Sequence, residues 1–507
     1  MRFPKKSLPL MVATPVATLL ASGAFALTPV TQVASLSAAQ FQSMLLSTPA
    51  GQQLLQIAGA PKCGVTVIQY PYLTLGARRE LTNATGSLML PNGSDCTGAR
   101  PTLLYAHGTA VDRNYNMADL RNNSEASMIA AIYAAQGYIV VAPNYAGYGE
   151  SRLPYHPYLV AKQQSQDMLD GWTWARMAMG ISQFSSASRV RENGKLFIAG
   201  YSQGGHVAMA TQRLFGRLGI PVAAAAPSSG PYAMAAFGDA MFYGNVDIPA
   251  PLFANMLANS YQKAYGIYAH SYEFYEPRYA GSVEGLLPST TPINSILQQG
   301  LLPQFALFSS TPPTAPASQP GLQGLLDAIT PPAGNPLAAL GFGSANLVSN
   351  AYRLNYLLDA VAHPDGAVPS VTTGLPGAPQ HPLRKALKDN DLRNWSNGPA
   401  QPTLLCGGNA DPTVFFMNTH LMKGRWASLP AGRVTALDVD SAAAGSTDPF
   451  AAVKHGFASA KTAIAAAAVA AGATDGGQSA VVGQYHGLAA PFCMAAARGF
   501  FQQVTGK

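Results

Sequence analysis

The sequence predicts an α/β protein, with a mostly parallel sheet flanked by helices. Short, wholly apolar runs recur along the chain, among them PTLLY at 101–105, YIVVA at 138–142 and KLFIA at 195–199. Such runs suit strands buried on both faces. Segments of helical character alternate with them, the pattern of an α/β sheet. The composition agrees: 48% of the residues are hydrophobic and 11% are charged, the balance of a packed globular chain.

The elements follow in order. Residues 1–26 read as an export signal. Arg2, Lys5 and Lys6 precede an apolar stretch at 8–20, and Ala24-Phe25-Ala26 offers the small-x-small pattern of a cleavage site. The stretch is short and broken by Pro9 and Pro15, which argues against a membrane anchor. A secreted or periplasmic protein is expected, cut after Ala26. Residues 27–62 form an N-terminal arm, helical over 38–60. Runs at 65–73 and 87–90 have β character. The strand at 101–105 ends at His107-Gly108. Residues 124–136 are helical and stop at Gly137, a suitable C-terminal cap. After the strand at 138–142, Ala161, Met168, Trp172, Ala175 and Met179 share one helix face. The strand at 195–199 runs into a glycine-rich turn, then a helix at 203–217 and a strand at 222–226. These elements make a first core segment, 63–231. From 232 to 395 the pattern breaks into a stretch rich in Pro, Gly, Ser, Tyr and Leu, with short helices expected at 296–307 and 322–329. It returns over 396–507, with strands at 403–406 and 433–438. The simplest organisation is one α/β core interrupted by a long insertion.

Charge and cysteines narrow the function classes. The formal charge is +7, and three of the basic residues lie in 1–26; the rest holds 28 basic against 24 acidic residues, or +4. So mild a balance, without Lys/Arg runs, argues against nucleic acid as a partner. None of the four cysteines forms a CxxC pair, so zinc and thioredoxin-like chemistry are disfavoured. An even number in an exported chain suggests two disulfides. Three connectivities are possible; pairing sequence neighbours gives Cys63–Cys96 and Cys406–Cys493.

GYSQG at 200–204 fits the pattern G-x-S-x-G. It follows an apolar strand and opens a helix, the setting in which such a turn lifts a serine hydroxyl above a sheet. Residues two before and two after the serine must be small, as Gly200 and Gly204 are. A serine needs a base within reach and an acid to orient that base. Seven histidines follow Ser202. His206 lies on the same helix as the serine, and its spacing suits packing. His270, His363 and His381 fall in the insertion, and His420 lies beyond it. His486, in GQYHGLAAPF, is expected in a glycine-flanked loop before a C-terminal helix and is the preferred base; His455 is its competitor. Asp411 follows the strand at 403–406 and is the preferred acid, although a helix N-cap would also explain it. Asp438 and Asp440, after the next strand, are the alternatives. HGT at 107–109 also follows a strand, so the backbone N–H groups of Thr109 and Gln203 are expected to form an oxyanion hole. NYAGYGES at 144–151 lacks the Gly-Lys-Ser/Thr ending of a phosphate loop.

Together, HGT, NYAGYGES, GYSQGG and GNADPTV…YHG resemble the α/β-hydrolase superfamily, and within it secreted serine esterases and lipases of the secretory-lipase type. The resemblance covers most of 63–231 and 396–507. It implies Ser202 as nucleophile, Asp411 as acid and His486 as base. It also implies a large, mainly helical cap or lid between nucleophile and acid, where the insertion lies. Tannase-like and feruloyl-esterase-like relatives place cysteines directly beside nucleophile and base. Here Tyr201 and Gly487 stand there, which disfavours that subgroup.

A carboxylic ester hydrolase working through an acyl-enzyme is therefore expected, with no metal or organic cofactor. The same groups could serve an acyltransferase or a peptidase, and a binding protein on the same fold is the contrasting alternative. A small-molecule, lipid or polymeric ester is the expected partner, with transient lipid-interface contact through the cap. Tyr261, Tyr265, Tyr268, Tyr272, Phe274, Tyr275 and Tyr279 could line a pocket, but such spacing more often packs a lid onto its core.

Overall fold

The computed structural model describes residues 27–181, 189–331 and 341–506. The expected export signal lies outside them. Among the described residues no helix is long and apolar enough to cross a membrane.

Among the described residues nine strands form one sheet: β1 (Thr31–Leu36), β2 (Gly64–Leu75), β3 (Leu81–Asn92), β4 (Gly98–Ala106), β5 (Ile139–Pro143), β6 (Val190–Tyr201), β7 (Ala224–Ser228), β8 (Thr403–Gly407) and β9 (Val434–Asp438). Their order is β1-β2-β3-β5-β4-β6-β7-β8-β9. The first four strands in that order pair antiparallel, and the rest, from β5 to β9, pair parallel. The runs expected at 65–73 and 87–90 belong to a longer hairpin, and β1 adds an edge strand that the sequence reading missed.

The expected single helix over 38–60 is two, α1 (Ala38–Leu46) and α2 (Pro49–Ala58). Pro49 has no N–H to continue α1, and Thr48 caps α2 by accepting from Gly51 N–H at 3.1 Å. Next come α3 (Ser124–Ile132), α4 (Ala161–Met179) and α5 (Gln203–Leu218). A short turn of 3-10 helix follows α3 and ends at Gly137, whose φ of 95° is the left-handed cap expected there. One face of the sheet packs α3 and the C-terminal helices around Leu103, Val140, Phe197 and Phe501. The other packs α4 and α5 around Leu104, Val141, Ile198 and Phe215.

Between β7 and β8 the described residues add no strand to the sheet. They form α6 (Met234–Phe242), α7 (Ala250–Tyr265), α8 (Asn350–Ala362), α9 (Pro382–Asp389) and shorter turns. The helix expected over 296–307 covers only Ile293–Gln298: Gly300 turns left-handed at φ 67°, and Pro303 follows. This segment has its own core, in which Tyr261, Tyr268, Phe274, Tyr275 and Tyr279 are buried, whereas Tyr272 stays exposed. The aromatic cluster is thus chiefly packing. Buried ion pairs bind the same segment: Arg393 meets Asp365 at 2.8 Å and Asp391 at 2.7 Å, and Arg384 meets Asp239 and Asp359, each at 2.7 Å.

The chain ends with α10 (Met417–Arg425), α11 (Ala451–Ala470) and α12 (Gln478–Val504). Two disulfides join Cys63 to Cys96 and Cys406 to Cys493. The second ties β8 to α12.

Candidate active site

The order of the sheet reverses around β4: β5 lies on one side of it and β6 on the other. In α/β sheets the crevice beyond the carboxyl ends of strands at such a point is where ligands bind. β4 ends at Ala106, before His107-Gly108-Thr109. β6 ends at Tyr201, before Ser202.

Ser202 sits at φ 60° and ψ −125° at the head of α5. That region is costly for a residue with a Cβ, and it persists only where neighbours enforce it. Here the enforcement is visible. A Cβ on Gly200 would meet Gly204 O at 2.1 Å, and one on Gly204 would meet Ala106 O at 2.0 Å. Gly205 is as confined, with Ser228 O at 2.3 Å. Only bare backbone lets α5 start so close to β4 and β7. Ser202 N–H also donates to Ser228 O at 3.0 Å, pinning the bend to β7. The serine is 9% exposed and lines a cavity of about 100 Å³.

His486 and Asp411 meet although 75 residues apart: the ring Nδ1 lies 2.7 Å from Asp411 Oδ2. A carboxylate only accepts, so Nδ1 carries the proton and donates. Nε2 is then the lone-pair nitrogen, buried and without a hydrogen-bond partner. The other carboxylate oxygen, Oδ1, accepts Thr413 N–H at 2.9 Å and Val414 N–H at 3.1 Å. The turn that could have made Asp411 a mere cap thus holds it in place for His486 as well.

Contrary to expectation, His486 is not in a loop; it lies in the third turn of α12. Glycine at 483 and 487 costs a helix only about 1 kcal/mol each, and α12 recovers this by burying Tyr485, Phe492, Cys493 and Phe501. Tyr201, the residue before Ser202, donates its hydroxyl to His486 O at 2.6 Å, and the two rings lie 5.0 Å apart between centroids. The Cys406–Cys493 disulfide joins the strand that leads to Asp411 to the helix that carries His486.

The alternatives have other work. Asp438 accepts from Asn409 N–H at 3.1 Å and Asn409 Nδ2 at 2.7 Å, bracing the loop that holds Asp411. Asp440 accepts from the Tyr485 hydroxyl at 2.7 Å and pairs with Lys461. His455 is exposed on α11. His206 is buried, with Nδ1–H donating to Pro231 O at 2.9 Å, and burial pulls its pKa down to about 4. His107 is buried and stacks on Tyr145 at 4.1 Å, and burial lowers its pKa.

The turn at 107–109 abuts the serine: a Cβ on Gly108 would lie 3.5 Å from Tyr201 O. Gly108 N–H donates to Glu125 Oε1 at 2.9 Å, and Glu125 also accepts the hydroxyls of Tyr105 and Tyr115. Thr109 follows, its Oγ1 2.9 Å from the hydroxyl of Tyr158, a cavity residue. Gln203 is anchored by His156. That ring donates from Nδ1 to Ala146 O at 2.9 Å, which leaves Nε2 to accept Gln203 Nε2–H at 2.7 Å. Burial pulls His156 down to about 3, so the ring stays neutral in this role. Glu125 and His156 stand in no motif and escaped the sequence reading. So did Asp247, a buried carboxyl in the cavity wall that belongs to the segment between β7 and β8.

No family model matches the sequence, and no curated protein matches it. Solved structures do. A rice cell wall degrading esterase, LipA from Xanthomonas oryzae, is 25% identical with a TM-score of 0.61, over 81% of this chain and 90% of that one. A ligand-bound form of the same esterase is also 25% identical, with a TM-score of 0.60 over the same shares. A protein from Legionella pneumophila subsp. pneumophila is 18% identical with a TM-score of 0.62, over 94% of this chain and 98% of that one. With these likenesses added to its sheet order and its strand-turn-helix at Ser202, the chain has the α/β-hydrolase fold.

Proposed function

We propose that the protein is an exported serine hydrolase of carboxylic esters. The observation that carries this reading is the pairing of a serine held at φ 60° beside a cavity with a His486–Asp411 couple at 2.7 Å whose Nε2 has no partner. Ser202 Oγ attacks the ester carbonyl carbon while His486 Nε2 takes its proton. The backbone N–H groups of Thr109 and Gln203 receive the negative oxygen of the tetrahedral intermediate. Each such donor stabilises the transition state by about 3 kcal/mol. His486 then returns the proton to the departing alcohol. Water then attacks the acyl carbon, losing a proton to His486, and His486 passes that proton to Ser202 Oγ as the acyl–serine bond breaks and the acid leaves. Asp411 holds the imidazole in the tautomer that both halves need.

The likeness to an esterase supports an ester substrate. The mostly apolar cavity supports a mainly hydrocarbon group beside the reacting carbonyl. Two disulfides suit an oxidising compartment and support export. The insertion, 232–395, supplies much of the cavity wall, including Met234, Phe237, Phe253 and Leu257, and in this reading it is a cap that sets acyl preference. The test is hydrolysis of short-chain p-nitrophenyl esters by wild type and Ser202→Ala. Wild type is expected to turn over and the variant to lose at least about a thousandfold; equal rates overturn the mechanism.

A further inference from the structure

The cavity beside Ser202 is apolar over most of its wall, yet two of its polar residues have unmet hydrogen-bonding groups. Gln203 has its amide nitrogen turned to His156, which leaves its Oε1 buried without a partner. Asp247 is 4% exposed, and its Oδ1 is likewise buried and unpartnered. Leaving such a group unsatisfied costs free energy, so a carboxyl at this place needs a reason. Packing does not supply one, since an apolar side chain would suit these neighbours better.

The chain holds Asp247 in place from the catalytic side. Ile248 N–H donates to Pro412 O at 3.2 Å, and Thr413 Oγ1 donates to Ile248 O at 2.6 Å. The backbone next to Asp247 is therefore tied to the loop that carries Asp411, and Asp247 lines the same cavity as Ser202.

We propose that Asp247 is a specificity-determining residue that hydrogen-bonds an uncharged hydroxyl on the ester substrate, so that hydroxylated short-chain esters are preferred over plain ones. This rests on the serine-hydrolase reading. A hydroxyl both donates and accepts, and so can serve a carboxyl in its neutral form. Neutrality suits the site: burial, and then the nearby Asp411, push Asp247 up to about 8. A cationic substrate group would instead need an ionised partner. Size points to a short chain. An apolar cavity of about 150 Å³ admits benzene, and this one is about 100 Å³.

The test compares kcat/KM for p-nitrophenyl 3-hydroxybutyrate and p-nitrophenyl butyrate in wild type, Asp247→Asn and Asp247→Leu. A second pair, 2-hydroxyethyl butyrate and butyl butyrate, followed by acid release, places the hydroxyl on the alcohol side. Wild type is expected to favour the hydroxylated member of one pair by at least about tenfold, and the pair that shows this locates the hydroxyl. Asp247→Asn, which still donates and accepts, is expected to keep most of the preference. Asp247→Leu is expected to abolish it. Equal rates on both members of both pairs in wild type overturn the proposal and leave the hydrolase reading standing. So does a preference that survives Asp247→Leu. A preference for butyrylcholine that Asp247→Asn destroys overturns it in favour of a cation site. Hydrolysis of none of these esters, with no fluorophosphonate adduct on Ser202, overturns both readings together.

Discussion

Replacing Asp411 by Asn changes one oxygen for an NH2 group and nothing in volume. The consequence follows from the hydrogen bonds. Oδ1 accepts the N–H groups of Thr413 and Val414, at 2.9 and 3.1 Å. An asparagine keeps its oxygen there, because an NH2 facing two N–H donors would leave all of them unmet. Its NH2 must then face His486 Nδ1, which the native carboxylate meets at 2.7 Å. Nδ1 becomes the acceptor and the ring proton moves to Nε2, so the imidazole offers Ser202 a proton instead of removing one. A wrong tautomer at a triad lowers kcat by about a thousand- to ten-thousandfold, or about 4–5.5 kcal/mol of barrier. Because Asp411 is not among the residues lining the cavity, KM should change little. The fold keeps its packing and both backbone bonds, so stability should stay within about 1 kcal/mol of wild type. The assay is steady-state hydrolysis of p-nitrophenyl butyrate, with a thermal melt of the same preparation. A well-folded Asp411→Asn that keeps more than a tenth of wild-type kcat refutes the tautomer argument.

Four further outcomes are expected. Gly204→Ala forces a Cβ to 2.0 Å from Ala106 O and 2.7 Å from His107 O, both backbone; stability should fall by about 1–3 kcal/mol or more in denaturant titration. Gly216→Ala on the same helix, where a Cβ meets nothing, should instead raise it by about 0.5–1 kcal/mol. Arg393→Ala strands the buried carboxylates of Asp365 and Asp391 and should cost about 3–5 kcal/mol; a loss under 1 kcal/mol in the same titration would count against a structural role. Asp247, ordinarily near 3.8, is raised to about 8 in the fold. The folded chain keeps a proton that the unfolded chain gives up, so this residue's contribution to stability falls as pH rises between those values. Asp247→Asn cannot ionise, and its Tm advantage over wild type should be larger at pH 8 than at pH 5; an equal difference at both contradicts the shift.

The bend at Ser202 was legible in the sequence because everything that enforces it is local: the apolar strand before it, the helix after it, and glycines where any Cβ would strike backbone. Asp411 was legible for a similar reason, as a carboxylate just past a strand end. His486 is preferred for its order in the chain, and its ring meets Asp411 at 2.7 Å, but in a helix and not in the expected loop. Two glycines and Pro491 suggest a loop, yet packing of α12 against the sheet outweighs their cost. The choice of Asp411 over Asp438 and Asp440 depends on which carboxylate meets the His486 ring rather than its neighbour Tyr485, and no local pattern carries that. Glu125 and His156 act through contacts with residues 17 and 47 positions away, and Asp247 adjoins Ile248, which bonds a residue 165 positions away. Their neighbours in the chain give no hint of these roles. In the sequence, the segment between β7 and β8 reads as a break in the α/β pattern. Its helices are short and its core rests on buried tyrosines and arginine–aspartate pairs, which leave little apolar periodicity.

The most direct measurement is peptide mapping by mass spectrometry after reaction with a fluorophosphonate, done on wild type and His486→Ala. An activated serine is expected to give a single adduct on the peptide containing Ser202, and loss of the imidazole should slow its formation by at least about a thousandfold. Ester hydrolysis that continues with Ser202 unmodified, or labelling at an undiminished rate without His486, would contradict the convergence of Ser202, His486 and Asp411 on one reaction.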